Sequence, residues 1–180
     1  MIDLYQLVSS LQNEKRYNHT LGVINMAKHL AETYNVQVDK CELAALLHDV
    51  TKQIDNDTHK QLLSQVDDQL IVSQPPLWHS YTGAIYAKEQ LGITDCQVLD
   101  AIKWHTTGKL TTDPIAQVIY ISDYLELGRS FTHLDNLRDM IGTTSLSLLY
   151  KAVAKYRIEY ELNQGHILHP DTRELYESIV

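Results

Sequence analysis

At 180 residues, 44% hydrophobic and 21% charged, the chain is long enough to bury a sizeable core and has ordinary globular usage. A net charge of −8 without any basic run argues against a nucleic-acid duplex as partner. A small phosphate ligand stays open, because a few cations or a metal reverse the sign locally. The longest apolar run, Leu43 to Leu47, cannot span a membrane, and the opening MIDLYQLVSS lacks a signal-peptide layout. Cys41 and Cys96 imply no disulfide framework. No membrane partner and a cytoplasmic location are therefore expected.

Nearly every segment carries helical periodicity. Leu4, Leu7, Val8 and Leu11 give a short amphipathic helix. A second helix runs from about Arg16 to Tyr34, with Val23, Ala27, Leu30 and Tyr34 on one stripe. His19, one turn before Val23, extends that stripe and faces inward. Asp39 and Glu42 read as a capping box for the third helix, CELAALLHDVTK, whose apolar face ends on His48 and Asp49 with Lys52 a turn later. DNDTHKQLL begins a short polar helix. QPPLWHSYTGAIYAKEQLG begins another, with proline near its first turn and Gly92 in the C-cap role. Thr94 and Gln97 read as a second capping box ahead of Val98, Ile102 and His105, and TTGK breaks that helix. Asp113-Pro114 pairs a cap with an N1 proline, opening a helix through Ile119 and Asp123 to Gly128. LDNLRDMIG and Ser145 to Gln164 supply two more, and a last short helix follows HPDT. With no repeat or linker, the expectation is one all-α domain over residues 1–180.

A buried helix face that ends on unpaired ionisable groups costs on the order of several kcal/mol for each, so His48 and Asp49 need something opposite them. His19 and Asp123 lie on two other helices, each on or beside the buried stripe. Two imidazoles and two carboxylates converging in a core suit a divalent transition metal with mixed nitrogen and oxygen ligation. Neighbours on a helix point ~100° apart, so His48 and Asp49 reach one ion only if it lies between their vectors. A metal-free His–Asp hydrogen-bond network also satisfies these groups, but leaves Lys52 unexplained. His79 in WHS and His105 in WHTTG each follow a tryptophan at a helix end. Near Asp49 they allow a second ion bridged by that carboxylate, and paired ions ~3.5–4 Å apart serve phosphoryl chemistry. Taken singly, His79 is an ordinary helix-start residue and His105 a cation favoured by the helix dipole. His29, His59 and His133 fall on polar stretches and read as solvated.

The order His19, His48-Asp49, Asp123 resembles the H…HD…D signature of the HD-domain metal-dependent phosphohydrolases. The finer spelling is similar to their YqeK-type branch, the symmetrical bis(5′-nucleosyl)-tetraphosphatases. RYNHTLGV matches that branch's R-x-x-H-[ST]-x-G-V, and LLHDVTK its LLHD-x-x-K. IKWHTTG matches A-I-x-x-H-T-T-G, ISDYLELGRSF matches A-D-x-I-E-x-x-R-x-F, and GHILHPDTRELY matches G-x-x-[IL]-x-P-x-T. WHS…TGA matches its histidine-then-Gly-Ala helix. The likeness runs from about Arg16 to Tyr176, with Ser122 where Ala is common, Leu127 where Pro is frequent, and a bulkier Trp78-His79-Ser80-Tyr81.

The resemblance implies a helical bundle with a buried metal centre holding one or two divalent ions, iron in most members. It implies His19, His48, Asp49 and Asp123 as ligands of one ion, and Asp49, His79 and His105 as ligands of the other. Asp49, Lys52 and Arg129 would carry the reaction. Substrate would meet Arg16, His19, Lys52, Thr106, Thr107, Gly108, Asp123 and Arg129, with His169, Pro170 and Thr172 at the nucleoside end. The implied enzyme is a hydrolase of acid anhydrides, cutting diadenosine tetraphosphate at its centre into two ADP through a metal-bound hydroxide. Competing readings are another HD phosphohydrolase acting on a deoxynucleotide triphosphate, a guanosine alarmone or a cyclic dinucleotide, a non-catalytic nucleotide sensor, and an all-α interaction protein whose histidines are core residues. Tyrosines of YKAVAKYRIEYEL, read as exposed, leave room for a homodimer contact.

Overall fold

Side-chain caps set most of the element boundaries. The computed structural model describes residues 3–180 apart from residues 65, 67, 112 and 132, and only the backbone of Gln69 and Leu70. Helix α1 (Leu4–Leu11) opens on Asp3, whose carboxylate accepts from the Tyr5 and Gln6 amides. Asn13 caps α2 (Glu14–Thr33) in the same way through Arg16 N–H. Helix α3 spans Val38–Leu47, and Asp55 caps α4 (Asn56–Leu63). A short α5 (Gln69–Val72) and a 3₁₀ turn (Pro75–Leu77) lead into α6 (Trp78–Glu89). Asp95 caps α7 (Cys96–Trp104), and Asp113 caps α8 (Pro114–Leu125) with proline at its first turn. Helices α9 (Leu134–Arg138), α10 (Leu146–Asn163) and α11 (Pro170–Glu177) complete an all-α bundle without strands among the described residues.

Several boundaries differ from expectation: α3 ends at Leu47, so His48 to Lys52 lie in the turn after it rather than on the helix, and α9 stops at Arg138 short of Gly142. Asp39 lies inside the first turn of α3, whose N-cap Gln37 makes no side-chain cap bond. Its intended partner Glu42 instead accepts from Tyr5 Oη at 2.7 Å and Lys28 Nζ at 3.0 Å, contacts that sequence spacing cannot show. For α7 the cap is Asp95 and not Thr94, because the aspartate next in line offers the stronger acceptor to the Gln97 and Val98 amides. Helix α8 stops at Leu125 rather than Gly128: Glu126 turns to ψ 147, which swings residues 126–129 back over the bundle. Helix α11 starts on Pro170, inside HPDT rather than after it.

Helix α2 packs against α3 and α8, while α7 packs against α3, α6 and α8, and α10 covers α8. Val23, Ala27 and Leu30 meet Ala44, Leu47, Ile102, Ile119 and Leu125 in the main core, all fully buried. Each large aliphatic side chain there contributes roughly 1.5–3 kcal/mol. A smaller cluster of Leu63, Ile71, Trp78 and Tyr81 lies beneath α4 to α6. His59 belongs beside that cluster and is not solvated: it is buried, its Nδ1 is 3.0 Å from Thr82 Oγ1, and its ring tilts against Trp78. His29 is exposed and His133 half-buried. Of the three tyrosines in YKAVAKYRIEYEL, Tyr156 and Tyr160 are exposed, but Tyr150 is buried and hydrogen-bonded to Lys109.

Candidate metal centre

The site is assembled from helix ends, where side chains reach inward without filling the groove between helices. In the second turn of α2, His19 points between α3 and α8. His48 is the C-cap of α3, and Asp49 and Lys52 follow in the tight turn after it. His79 is the second residue of α6, and His105 is the C-cap of α7. Asp123 lies in the last turn of α8.

Three of the four histidines share one arrangement. His48 Nδ1 donates to Ala45 O at 2.6 Å, His105 Nδ1 donates to Ile102 O at 2.7 Å, and His19 Nδ1 donates to Glu126 Oε1 at 3.1 Å. An imidazole that donates through Nδ1 presents a bare Nε2 lone pair, the orientation metal ligands need. His19 Nε2, His48 Nε2 and Asp49 Oδ1 are buried with no hydrogen-bond partner among the described residues. Leaving three such atoms unmet costs on the order of 1–3 kcal/mol each, so the cluster is built around something else.

Ligand atoms of His19, His48 and Asp49 lie within 4.8 Å of one another, and those of Asp49, His79 and His105 do the same. Asp49 belongs to both groups. Its Oδ2 is 3.5 Å from His48 Nε2, and its Oδ1 is 3.4 Å from His79 Nε2 and 3.6 Å from His105 Nε2. Asp123 Oδ1 is 3.2 Å from His19 Nε2, though it joins neither group of three. Mixed imidazole and carboxylate donors with free lone pairs fit a divalent transition metal.

Protonation follows the packing. Burial holds His79 well below the ordinary imidazole value, and lowers His105, so both are neutral donors. Burial alone would raise Asp49, but His48, His105 and His79 outweigh it and hold the carboxyl well below its usual range. Burial also works against protonating His48, yet the Asp49 carboxylate beside it pushes the group upward overall. For Asp123 burial is again overcome, here by the His19 contact and by Arg157 and Arg129, which leaves it ionised.

Cations ring the opening. Arg16 Nη1 donates to Asp49 Oδ2 at 2.8 Å, and Arg129 Nη2 donates to Asp123 Oδ1 at 2.8 Å. Lys52 Nζ lies 3.0 Å from His79 Nε2, and burial lowers its pKa. Thr106 Oγ1 is 3.1 Å from both His79 Nε2 and His105 Nε2. Thr107 is buried and presents its carbonyl to Thr172 Oγ1 at 2.7 Å. Gly108 has φ +65, and a Cβ there would come 2.9 Å from Tyr120 and Leu175, so this turn requires glycine. His169, the N-cap of α11, lies 3.0 Å from Asp68 Oδ2, away from the histidine cluster, and Pro170 beside it is exposed. His169 and Thr172 line a cavity of about 690 Å³ that also touches Thr106, Thr107 and Arg157.

Three contributors escaped the sequence reading. Glu126 is buried, holds His19 Nδ1, and accepts from Gly128 N–H at 2.6 Å. Its carboxylate comes so near α2 that a Cβ on Gly22 would lie 2.5 Å from Oε2. The glutamate in ISDYLELGRSF and the glycine in RYNHTLGV were visible, but their pairing depends on α8 stopping at Leu125. Arg157 of α10 lies 3.5 Å from Asp123 Oδ2 and 4.2 Å over the Tyr120 ring, and nothing in its solvated-looking surroundings marked it. Gln12 donates to Asp49 O at 3.0 Å and accepts from Thr20 Oγ1, fixing the turn that carries Asp49.

An all-helical bundle with two histidine groups sharing one buried aspartate defines an HD-type hydrolase. The HD domain family model matches residues 16–128. The chain is 32% identical over 169 residues to the symmetrical bis(5′-nucleosyl)-tetraphosphatase of Bacillus subtilis (strain 168), covering 93% of this chain and 90% of that protein. It is 39% identical over 129 residues to the Staphylococcus aureus (strain NCTC 8325 / PS 47) protein of the same name, covering 71% and 66%. The crystal structure of a predicted HD superfamily hydrolase involved in NAD metabolism from Clostridium acetobutylicum superposes with a TM-score of 0.89 at 31% identity, covering 98% of this chain and 94% of that one. The chain belongs to the HD-domain family and, within it, to the YqeK-type symmetrical bis(5′-nucleosyl)-tetraphosphatases. It is a hydrolase, and among the described residues no helix is long and apolar enough to cross a membrane.

Proposed function

We propose that the chain hydrolyses diadenosine tetraphosphate at its centre, releasing two ADP. The observation that carries this reading is the shared Asp49, which joins two three-residue ligand groups in one buried cluster. Curated relatives along most of the chain bear the name of that activity.

His19, His48 and Asp49, with Asp123 beside them, would hold one divalent ion and Asp49, His79 and His105 a second, which when bound would supply Lewis acidity and positive charge, iron being the ion implied by family resemblance. The protein's own part is positioning. Burial keeps bulk water from the two carboxylates and strengthens every charge contact inside. Nδ1 bonds to Ala45, Ile102 and Glu126 fix the ring orientations before substrate arrives. Arg16, Lys52 and Arg129 stand where phosphate oxygens enter and stabilise the charge that spreads over them during transfer. Thr106 offers a hydroxyl at the same rim. One nucleoside half occupies the cavity between Thr107, His169 and Thr172.

Turnover of diadenosine tetraphosphate by protein purified anaerobically and supplied with iron tests the reading. The expected products are ADP alone, two per substrate. AMP together with ATP, or no turnover, would refute it.

A further inference from the structure

A substrate cut at its middle into two equal halves carries two bases, and the halves diverge from the reacting phosphorus. The His169–Thr172 cavity takes only one of them. Resting on the two-base reading above, we propose that the exposed ring of Phe131 is the platform for the second base, a nucleoside subsite on the far side of Arg157.

Phe131 ends a pre-stacked aromatic row. The residue is 53% exposed, although the rings behind it are held firmly. Phe131 is parallel to His133 within 7° at 6.2 Å, and His133 is parallel to Tyr156 within 6° at 4.8 Å. The Tyr124 hydroxyl locks the row by pairing with His133 Nε2 at 2.6 Å. A large aromatic face left open on a rigid base costs little entropy to use, and every nucleobase has a π-face to lay against it.

Placement connects this row to the reaction. Phe131 lines a cavity of about 550 Å³ together with Tyr124, Arg129, His133 and Arg157. That volume lies in the ordinary range for small-molecule sites. Arg129 and Arg157 are the two arginines that hold Asp123, so the phosphate end of the cavity is the metal centre's own rim. Arg157 and Glu161 also line the His169 cavity, which makes them the divide between two hollows meeting at Asp123. On its other side Phe131 borders a third hollow with Arg16 and His19, so a half-substrate leaving the metal centre past Arg129 meets this ring by either route. The opposing possibility is that Phe131 is a contact for another protein, in which case base number is irrelevant to it.

The test compares a two-base and a one-base ligand. KM for diadenosine tetraphosphate and Ki for adenosine 5′-tetraphosphate, as competitive inhibitor, are measured on the iron-loaded wild type, Phe131→Ala, Phe131→Leu and Phe131→Trp. In the wild type the two-base ligand binds more tightly. Loss of stacking in Phe131→Ala and Phe131→Leu raises its KM about tenfold, leaves the one-base Ki unchanged, and Phe131→Trp restores the wild-type KM. Equal tightness of both ligands in the wild type overturns the subsite, as do parallel changes in KM and Ki or no change in either. Phe131→Leu keeps the comparison alive if the alanine variant fails to fold. A wild type that cleaves no dinucleotide would instead remove the function on which the subsite rests, and that outcome is read before any variant is made.

Discussion

Two buried carboxylates lie at the heart of this site, and their surroundings differ. Asp49 forms the floor, where three imidazoles and Arg16 surround it. Asp123 stands at the mouth, where one imidazole and two guanidiniums hold it. Both are held well below the ordinary carboxyl value, against the burial that would raise them. The compensation differs in kind. Imidazoles around Asp49 have lone pairs to share with an ion, so that side is built for coordination. Guanidiniums have only protons to give, so Asp123 is anchored and its arginines stay ready to meet an anion.

Changes at the floor should remove metal, whereas changes at the mouth should remove anchoring or phosphate affinity. The largest effect is expected for Asp49→Ala, which disrupts both ligand groups together. Metal content should collapse and kcat/KM should fall about a thousandfold, since Lewis-acid catalysis supplies several kcal/mol. Arg157→Met tests the mouth. Removing one partner of a buried pair costs roughly 3–5 kcal/mol, and Arg129 and His19 still face Asp123, so thermal unfolding should report about 3 kcal/mol. Lys52→Ala should keep its metal and lose about a hundredfold in kcat/KM, and unchanged turnover would remove Lys52 from the reaction. Glu126→Gln keeps an acceptor for His19 Nδ1 but loses its charge, so metal affinity should drop about tenfold in a competition titration with a chelator.

The smallest effect lies away from both carboxylates. Burial lowers the pKa of His59, with Lys52 adding to it and Asp55 opposing, so the folded protein resists protonating this ring. As pH falls below 6.5 the unfolded chain takes up that proton first, and stability declines until the folded group titrates too. Stability is fully present above that window. The melting temperature of His59→Gln should therefore fall less steeply than the wild type's between neutral and mildly acidic pH.

Much of the floor was legible because coordination chemistry restricts residue type. His48 and Asp49 closing an apolar helix face is an anomaly that local pattern alone exposes, and the α2 stripe through Val23 and Ala27 pointed His19 inward. The mouth was less legible. Arg157 sits in a helix whose polar residues alternate without a marked stripe, and it is half-buried only because Tyr120 and Tyr124 of α8 receive it. Glu126 looked like a helix-interior residue, and its role appears only once the chain leaves helical geometry there. His59 failed for a related reason: α4 is polar in sequence, and α6 supplies the cover that buries it. The capping errors at α3 and α7 came from reading residue type without knowing which amide each side chain could reach.

Metal content measured alongside activity tests the central claim most directly. Protein purified without oxygen should contain one or two divalent ions per chain by elemental analysis, lose them and its turnover together under a strong chelator, and recover both when iron is returned. A chain that hydrolyses its substrate at full rate after every transition metal has been stripped would contradict the account.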